Sequence, residues 1–96
     1  MSYQLLAASD VISPVLPPEA IIVDEGTEIQ EGDYAKIAVQ IGLGKEIFWA
    51  VIYAIDREND KFGVRINQNL ILTQYHGLSD ANELVVERKH IIAIIK

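Results

Sequence analysis

The sequence predicts a mainly β fold of about five strands, a small barrel or sandwich, preceded by an extended N-terminal arm. Three observations predict it. Ile contributes 15 residues and Val 8, against 8 Leu, and β-branched side chains, stiff at χ1, suit a pleated surface. Short apolar runs alternate with turn signals at the close spacing of small all-β domains. The chain has 96 residues, enough for a single domain, and such a body buries only about 60–65% of its unfolded surface.

The arm spans Met1–Glu19 and holds all three prolines, Pro14, Pro17 and Pro18. Proline removes a backbone donor and drives the preceding residue towards extended conformations. The arm is expected to be partly disordered or laid over the domain, with Val11-Ile12-Ser13-Pro14-Val15-Leu16 apolar enough to dock. It lacks the basic n-region of a secretory signal, and no apolar run approaches the roughly 18 residues of a membrane span. A cytoplasmic protein with no membrane contact is therefore expected.

Residues 20–96 form the domain. Ala20–Asp24 is a short apolar strand ending at the turn signal Asp24-Glu25-Gly26. Asp33–Ile41 alternates, with Ile37, Val39 and Ile41 expected inward and Lys36, Ala38 and Gln40 outward. Gly42-Leu43-Gly44-Lys45 is a loop. Glu46–Asp56 is apolar on both faces: Ile47, Trp49, Val51, Tyr53 and Ile55 on one, Phe48, Ala50, Ile52 and Ala54 on the other. Such a strand is central, or its second face meets a partner. Arg57-Glu58-Asn59-Asp60 then turns the chain into Lys61–Asn67, closing a hairpin. Leu70–Thr73 reads as a short strand or one helical turn, and Gln74–Asn82 as a loop. Glu83–Glu87 is a strand, and Ile91–Ile95 a short closing strand after a turn at Arg88-Lys89-His90.

The order of these pieces has a likeness. Glu31-Gly32-Asp33-Tyr34-Ala35-Lys36 opens a strand, a Trp-bearing strand Glu46–Ile52 follows, then Ile55-Asp56, Phe62-Gly63-Val64-Arg65 and Glu87-Arg88-Lys89-His90-Ile91-Ile92. Over residues 31–96 this resembles an uncharacterised bacterial family, domain of unknown function 2314, whose members look like small SH3-like barrels. The resemblance implies that barrel here and supplies no catalytic residues. A second turn glycine, expected before the penultimate strand, is replaced by Ser79-Asp80-Ala81-Asn82.

The formal charge is −6. Residues 1–35 carry seven acids and no Lys or Arg, whereas residues 36–96 carry seven acids and eight bases. Solubility is the plain reading of this excess. An acidic segment docking on a basic partner is the sharper one. A net acidic chain disfavours nucleic acid, whose phosphates need Lys and Arg.

Little in the sequence points to catalysis. There is no Cys, which excludes disulfides, thiol catalysis and thiolate metal sites. His76 and His90 have acids nearby, Asp80 and Glu87, but lie in expected loop and strand, where no convergent ligand set is implied. His76, beside Tyr75 in the longest loop, is the better candidate for a general base. No Ser lies in a nucleophile-elbow pattern, and Gly42–Lys45 lacks the rest of a phosphate loop. No cofactor is expected.

The sequence therefore points to a non-enzymatic interaction module that binds protein or peptide and self-associates, as a homodimer or by arm exchange. Its candidate surface comprises Phe48, Trp49 and Tyr53 of the two-faced strand, Arg57, Lys61 and Arg65 of the hairpin, and Tyr75 and His76 of the loop. The alternative is a nucleic-acid-binding barrel using Arg57, Lys61 and Arg65 beside stacking aromatics. Against it, Trp49 and Phe62 lie on apolar faces and are expected in the core.

Overall fold

The turn and strand signals become a curled antiparallel sheet. The computed structural model describes residues 3–11, 15–70, 73 and 77–96. Its strands are β1 (Gln4–Leu5), β2 (Ile21–Ile22), β3 (Tyr34–Ile41), β4 (Gly44–Asp56), β5 (Lys61–Ile66), β6 (Glu83–Glu87) and β7 (Ile91–Ile95). The spatial order is β2-β7-β3-β4-β5-β6, with β1 also paired on β3. The protein is thus mainly β, with seven strands among the described residues rather than about five, two of them only two residues long. The hydrogen-bonded sheet does not close, because β2 and β6 end it. Much of the expected strand or turn at Leu70–Thr73, together with Tyr75 and His76, lies outside the described residues. No helix among the described residues is long and apolar enough to cross a membrane.

Two hairpins set the registers. Gly42-Leu43 joins β3 to β4, with Ile41 opposite Gly44. Gly42 has φ 56°, the left-handed backbone that the first residue of a type II′ turn requires and that glycine adopts without cost. The β4–β5 hairpin expected from Arg57–Asp60 forms with Asp56 opposite Lys61. The Asp56 carboxylate accepts the Asn59 N–H and side-chain amide at 3.2 and 2.9 Å. These bonds, the Asn59 side chain foremost, hold Asp56 below the usual carboxylate range.

Strand β4 bends the sheet. It pairs β3 through Gly44–Val51 and β5 through Ala50–Asp56. Inward residues of five strands meet in one core: Ala35, Ile37 and Val39; Phe48, Ala50 and Ile52; Phe62, Val64 and Ile66; Leu84 and Val86; Ile91 and Ile94, plugged by Ile29 and Leu78.

Strict alternation fails at two places. On β3, Ala38 is fully buried on the opposite face from Ile37, and Ile41 is only half-buried. On β4, the register slips between Ile52 and Ala54. A bulge sets two residues against one and shifts later side chains by one position. Tyr53 and Ala54 therefore both lie outside, and Ile55 turns in to pack on the core opposite Phe62.

The second apolar face is covered by the chain itself. Ala38, Ile92 and Ala93 form a smaller cluster with Val11, against which Leu6, Ala8, Leu16, Ala20 and Ile47 pack. The Leu6 N–H donates to Ala38 O at 3.0 Å, and Lys36 Nζ donates to Val15 O at 2.8 Å. This arm meets the demand that the two-faced strand places on a partner as far as Ile47.

The acid-rich segment after β2 finds bases within the chain. Arg88 donates to Asp24 O and Thr27 O at 3.1 and 2.7 Å. Lys96 donates to Glu28 O and to the buried Asp33 carboxylate, at 2.8 and 3.0 Å. Arg57 reaches Ile29 O at 3.5 Å.

Candidate functional site

The outer face of β4, β5 and β6 is the part of the sheet that the arm leaves open. Three rows cross it. Val51, Arg65 and Glu83 are opposite one another in the first; Ala54, Gly63 and Val85 in the second; Asp56, Lys61 and Glu87 in the third. Tyr53, bulged out beside Ala54, joins the middle row. An apolar row is thus bracketed by two charged rows, and each charged row ends at β6 with a glutamate.

The middle row forms a shallow groove of about 310 Å³ lined by Tyr53, Ala54, Gly63 and Val85 among others. Tyr53 and Val85 are 40% and 65% exposed, a larger apolar display than two scattered side chains because they share one row. Gly63 makes the groove: an added Cβ there would lie 2.9 Å from Tyr53 Cζ, so the ring can rest over the strand only on a glycine. Arg65 lies over the ring, its guanidinium carbon 5.3 Å from the ring centroid, within cation–π range. Arg65 also donates to Glu83 Oε2 from Nη2 and Nε, at 2.8 and 3.3 Å.

Strand β6 ends the sheet, and no strand pairs with its outer side among the described residues. Ile66 donates to Asn82 O and accepts from the Ala81 N–H, both at 2.8 Å. Antiparallel ladders alternate between hydrogen-bonded and non-bonded pairs. Leu84 and Val86 therefore bond to β5, while Glu83, Val85 and Glu87 turn their N–H and C=O outwards. The Glu87 N–H is taken by His90 Nδ1 at 3.0 Å. Among the described residues nothing hydrogen-bonds the Glu83 or Val85 backbone on that side.

The expected surface residues separate on the structure. Tyr53, Lys61 and Arg65 come together on this face. Phe48 is fully buried in the core, a correction with a simple cause, since it lies on the concave face between Ile37 and Ala50. Trp49, named for the surface but also expected in the core, departs from the core expectation. It is half-buried on the outer face, opposite Lys36, whose Nζ lies 5.1 Å from its ring centroid. Phe62 is buried as expected. Arg57 points away to the Ile29 carbonyl. Tyr75 and His76 lie outside the described residues. Sequence reasoning missed Gly63 and Val85, although a lone Gly within a strand pattern signals a bulge or a close approach.

A second groove, about 300 Å³, runs between Ala8, Val23, Asp24, Glu25, Asp60, Arg88, Lys89 and Ile91. Three of its charged side chains are engaged locally, with Arg88 Nε on the Asp60 carboxylate at 3.2 and 3.3 Å and Asp24 holding its own turn through Gly26 and Thr27. Among the described residues no three His, Asp or Glu side chains gather where they could hold a metal ion. Compared with family models, with curated proteins and with solved structures, the chain matches none.

Proposed function

We propose that this chain is a non-enzymatic β domain that binds an extended segment of another protein by adding it as a strand to β6. The supporting observation is the outward backbone of Glu83 and Val85, unpaired among the described residues, beside the Tyr53–Gly63–Val85 groove. Exposed edges template strand pairing, and in strand addition main-chain bonds supply affinity while alternate side chains supply specificity. The groove gives the incoming strand's outward side chains an apolar surface to lie beside.

A phosphate backbone fits this face less well. Lys61 lies opposite Glu87, Arg65 is paired with Glu83, and Arg57 is elsewhere. The test is to pan a displayed library of random linear peptides against the chain and titrate the selected peptides into isotope-labelled protein. Shifts centred on the amides of Glu83–Glu87 and Gly63 support the proposal. Selected peptides that bind elsewhere, or salt-dependent oligonucleotide binding with no peptide selected, overturn it.

A further inference from the structure

We infer that the segment added to β6 is basic at both ends of its contact, reading Lys/Arg-x-apolar-x-Lys/Arg. The inference rests on the proposed strand addition and names its partner class. The three rows decide it. Across β5 and β6 they run Arg65 to Glu83, Gly63 to Val85, and Lys61 to Glu87. A strand beyond β6 continues each row by one residue. Directly opposed side chains are the unit of sheet stabilisation, opposite charges favourable and like charges unfavourable. The next residue is therefore cationic beside Glu83, apolar beside Val85 and cationic beside Glu87.

The carboxylates have room for this role. Glu83 is 48% exposed in its side chain and receives Arg65 on Oε2. Glu87 is exposed and accepts the His90 backbone N–H through its side chain. With the Glu87 N–H held by His90, main-chain bonding is confined to Glu83 and Val85, and the Glu87 row is read by its side chain. The pattern is palindromic, so it holds for either strand direction. It also argues against a second copy at this edge. Two β6 strands paired antiparallel about Val85 would set Glu83 against the second copy's Glu87, twice.

The test uses three extended peptides that differ only at the two flanking positions, Lys/Lys, Ser/Ser and Glu/Glu, around a central Val. They are titrated into the full chain with amide shifts as the readout. The Lys/Lys peptide is expected to bind about tenfold more tightly than the Glu/Glu peptide, the sum of two charged cross-strand pairs. The preference should vanish in Glu83→Gln/Glu87→Gln and reverse in Glu83→Lys/Glu87→Lys, each checked for an unchanged amide pattern at Leu84 and Val86. Equal binding of all three peptides, with Glu83 and Val85 shifting, overturns the charge pattern and leaves strand addition standing. No shift at β6 with any peptide overturns both.

Discussion

The Tyr53 ring lies across Gly63 on the neighbouring strand, so close that a Cβ on Gly63 would stand 2.9 Å from Tyr53 Cζ. The bulge before Ala54 throws Tyr53 outwards, the glycine gives it a floor, and Arg65 lies over it at 5.3 Å. Gly63→Ala should therefore lift the ring and part it from Arg65. The clash falls on the far end of a side chain, so the fold survives, with stability changed by less than about 1 kcal/mol. The expected readout is loss of the ring-current shift on the Arg65 side-chain protons. An unchanged shift would show that the ring does not depend on the glycine.

Arg88 ties three segments: the turn at Asp24–Thr27, the hairpin tip at Asp60, and its own 3₁₀ turn, Arg88–His90, with its guanidinium carbon 5.7 Å from the Phe62 ring centroid. Its side chain is only 22% exposed, against 54% for Asp60. The carbonyl contacts should therefore matter more than the ion pair. Arg88→Ala is expected to cost about 1–3 kcal/mol by leaving the partly buried Thr27 carbonyl unmet. Asp60→Asn, which keeps a residue tolerant of its positive φ of 53°, should cost less than about 1 kcal/mol, as exposed ion pairs do. Urea denaturation separates the two, and equal losses would contradict this ranking.

Ala81 lies within Ser79–Asn82, the segment that stands in place of the expected turn glycine, and its φ is 73°. Its N–H and the Asn82 carbonyl both bond to Ile66, so the backbone is pinned in a left-handed bulge. For a residue with a Cβ this costs roughly 1–2 kcal/mol, whereas glycine returns about 0.4–1 kcal/mol of unfolded-state entropy. Ala81→Gly should raise the melting temperature by about 2–6 °C, and Ala81→Val should lower it. A drop on Ala81→Gly would refute the strained bulge.

His90 gives the fold an acid sensitivity near neutrality. Burial holds its imidazole below the ordinary value, opposed by Glu87 and assisted by Lys89, and its Nδ1 must be unprotonated to accept the Glu87 N–H. A lowered folded pKa means that the unfolded chain takes the proton first. Stability is then complete above about pH 6.5 and declines as pH falls below it. Asp24 and Asp56, both held low by side-chain and main-chain hydrogen bonds, keep their contributions until pH falls through the acid range. The urea midpoint should therefore drop between about pH 7 and 5.5, and His90→Gln should flatten that step. An identical slope in His90→Gln would assign the step elsewhere.

Much of the scaffold was legible because it rests on local chemistry. The Asp56–Lys61 hairpin, the Gly42 turn and the inward faces of Val64 and Ile66 follow from alternation and turn residues. What was not legible depended on tertiary contacts. No period in the sequence reveals that Tyr53 is a bulge residue, so Ala54 and Ile55 exchanged faces. The two apolar faces of Glu46–Asp56 suggested a central strand or a partner, and the arm's docking against Ile47 is a long-range event that no local pattern shows. The acid excess before Lys36 reads as solubility or as a docking segment, and neither reading reveals that Arg57, Arg88 and Lys96 reach carbonyls along it. At the candidate site, Tyr53, Lys61 and Arg65 were recognisable by type. Their alignment with Val85 and the two glutamates required the β5–β6 register.

The central claim is that β6 offers an open edge, and amide hydrogen exchange along that strand tests it most directly. Leu84 and Val86, bonded to β5, should exchange slowly in the free protein, and Glu83 and Val85 fast, with both fast sites becoming protected when a strand-forming peptide binds. Protection of Glu83 and Val85 equal to that of Leu84 and Val86 in the free protein would mean that the edge is already paired, and would contradict the account.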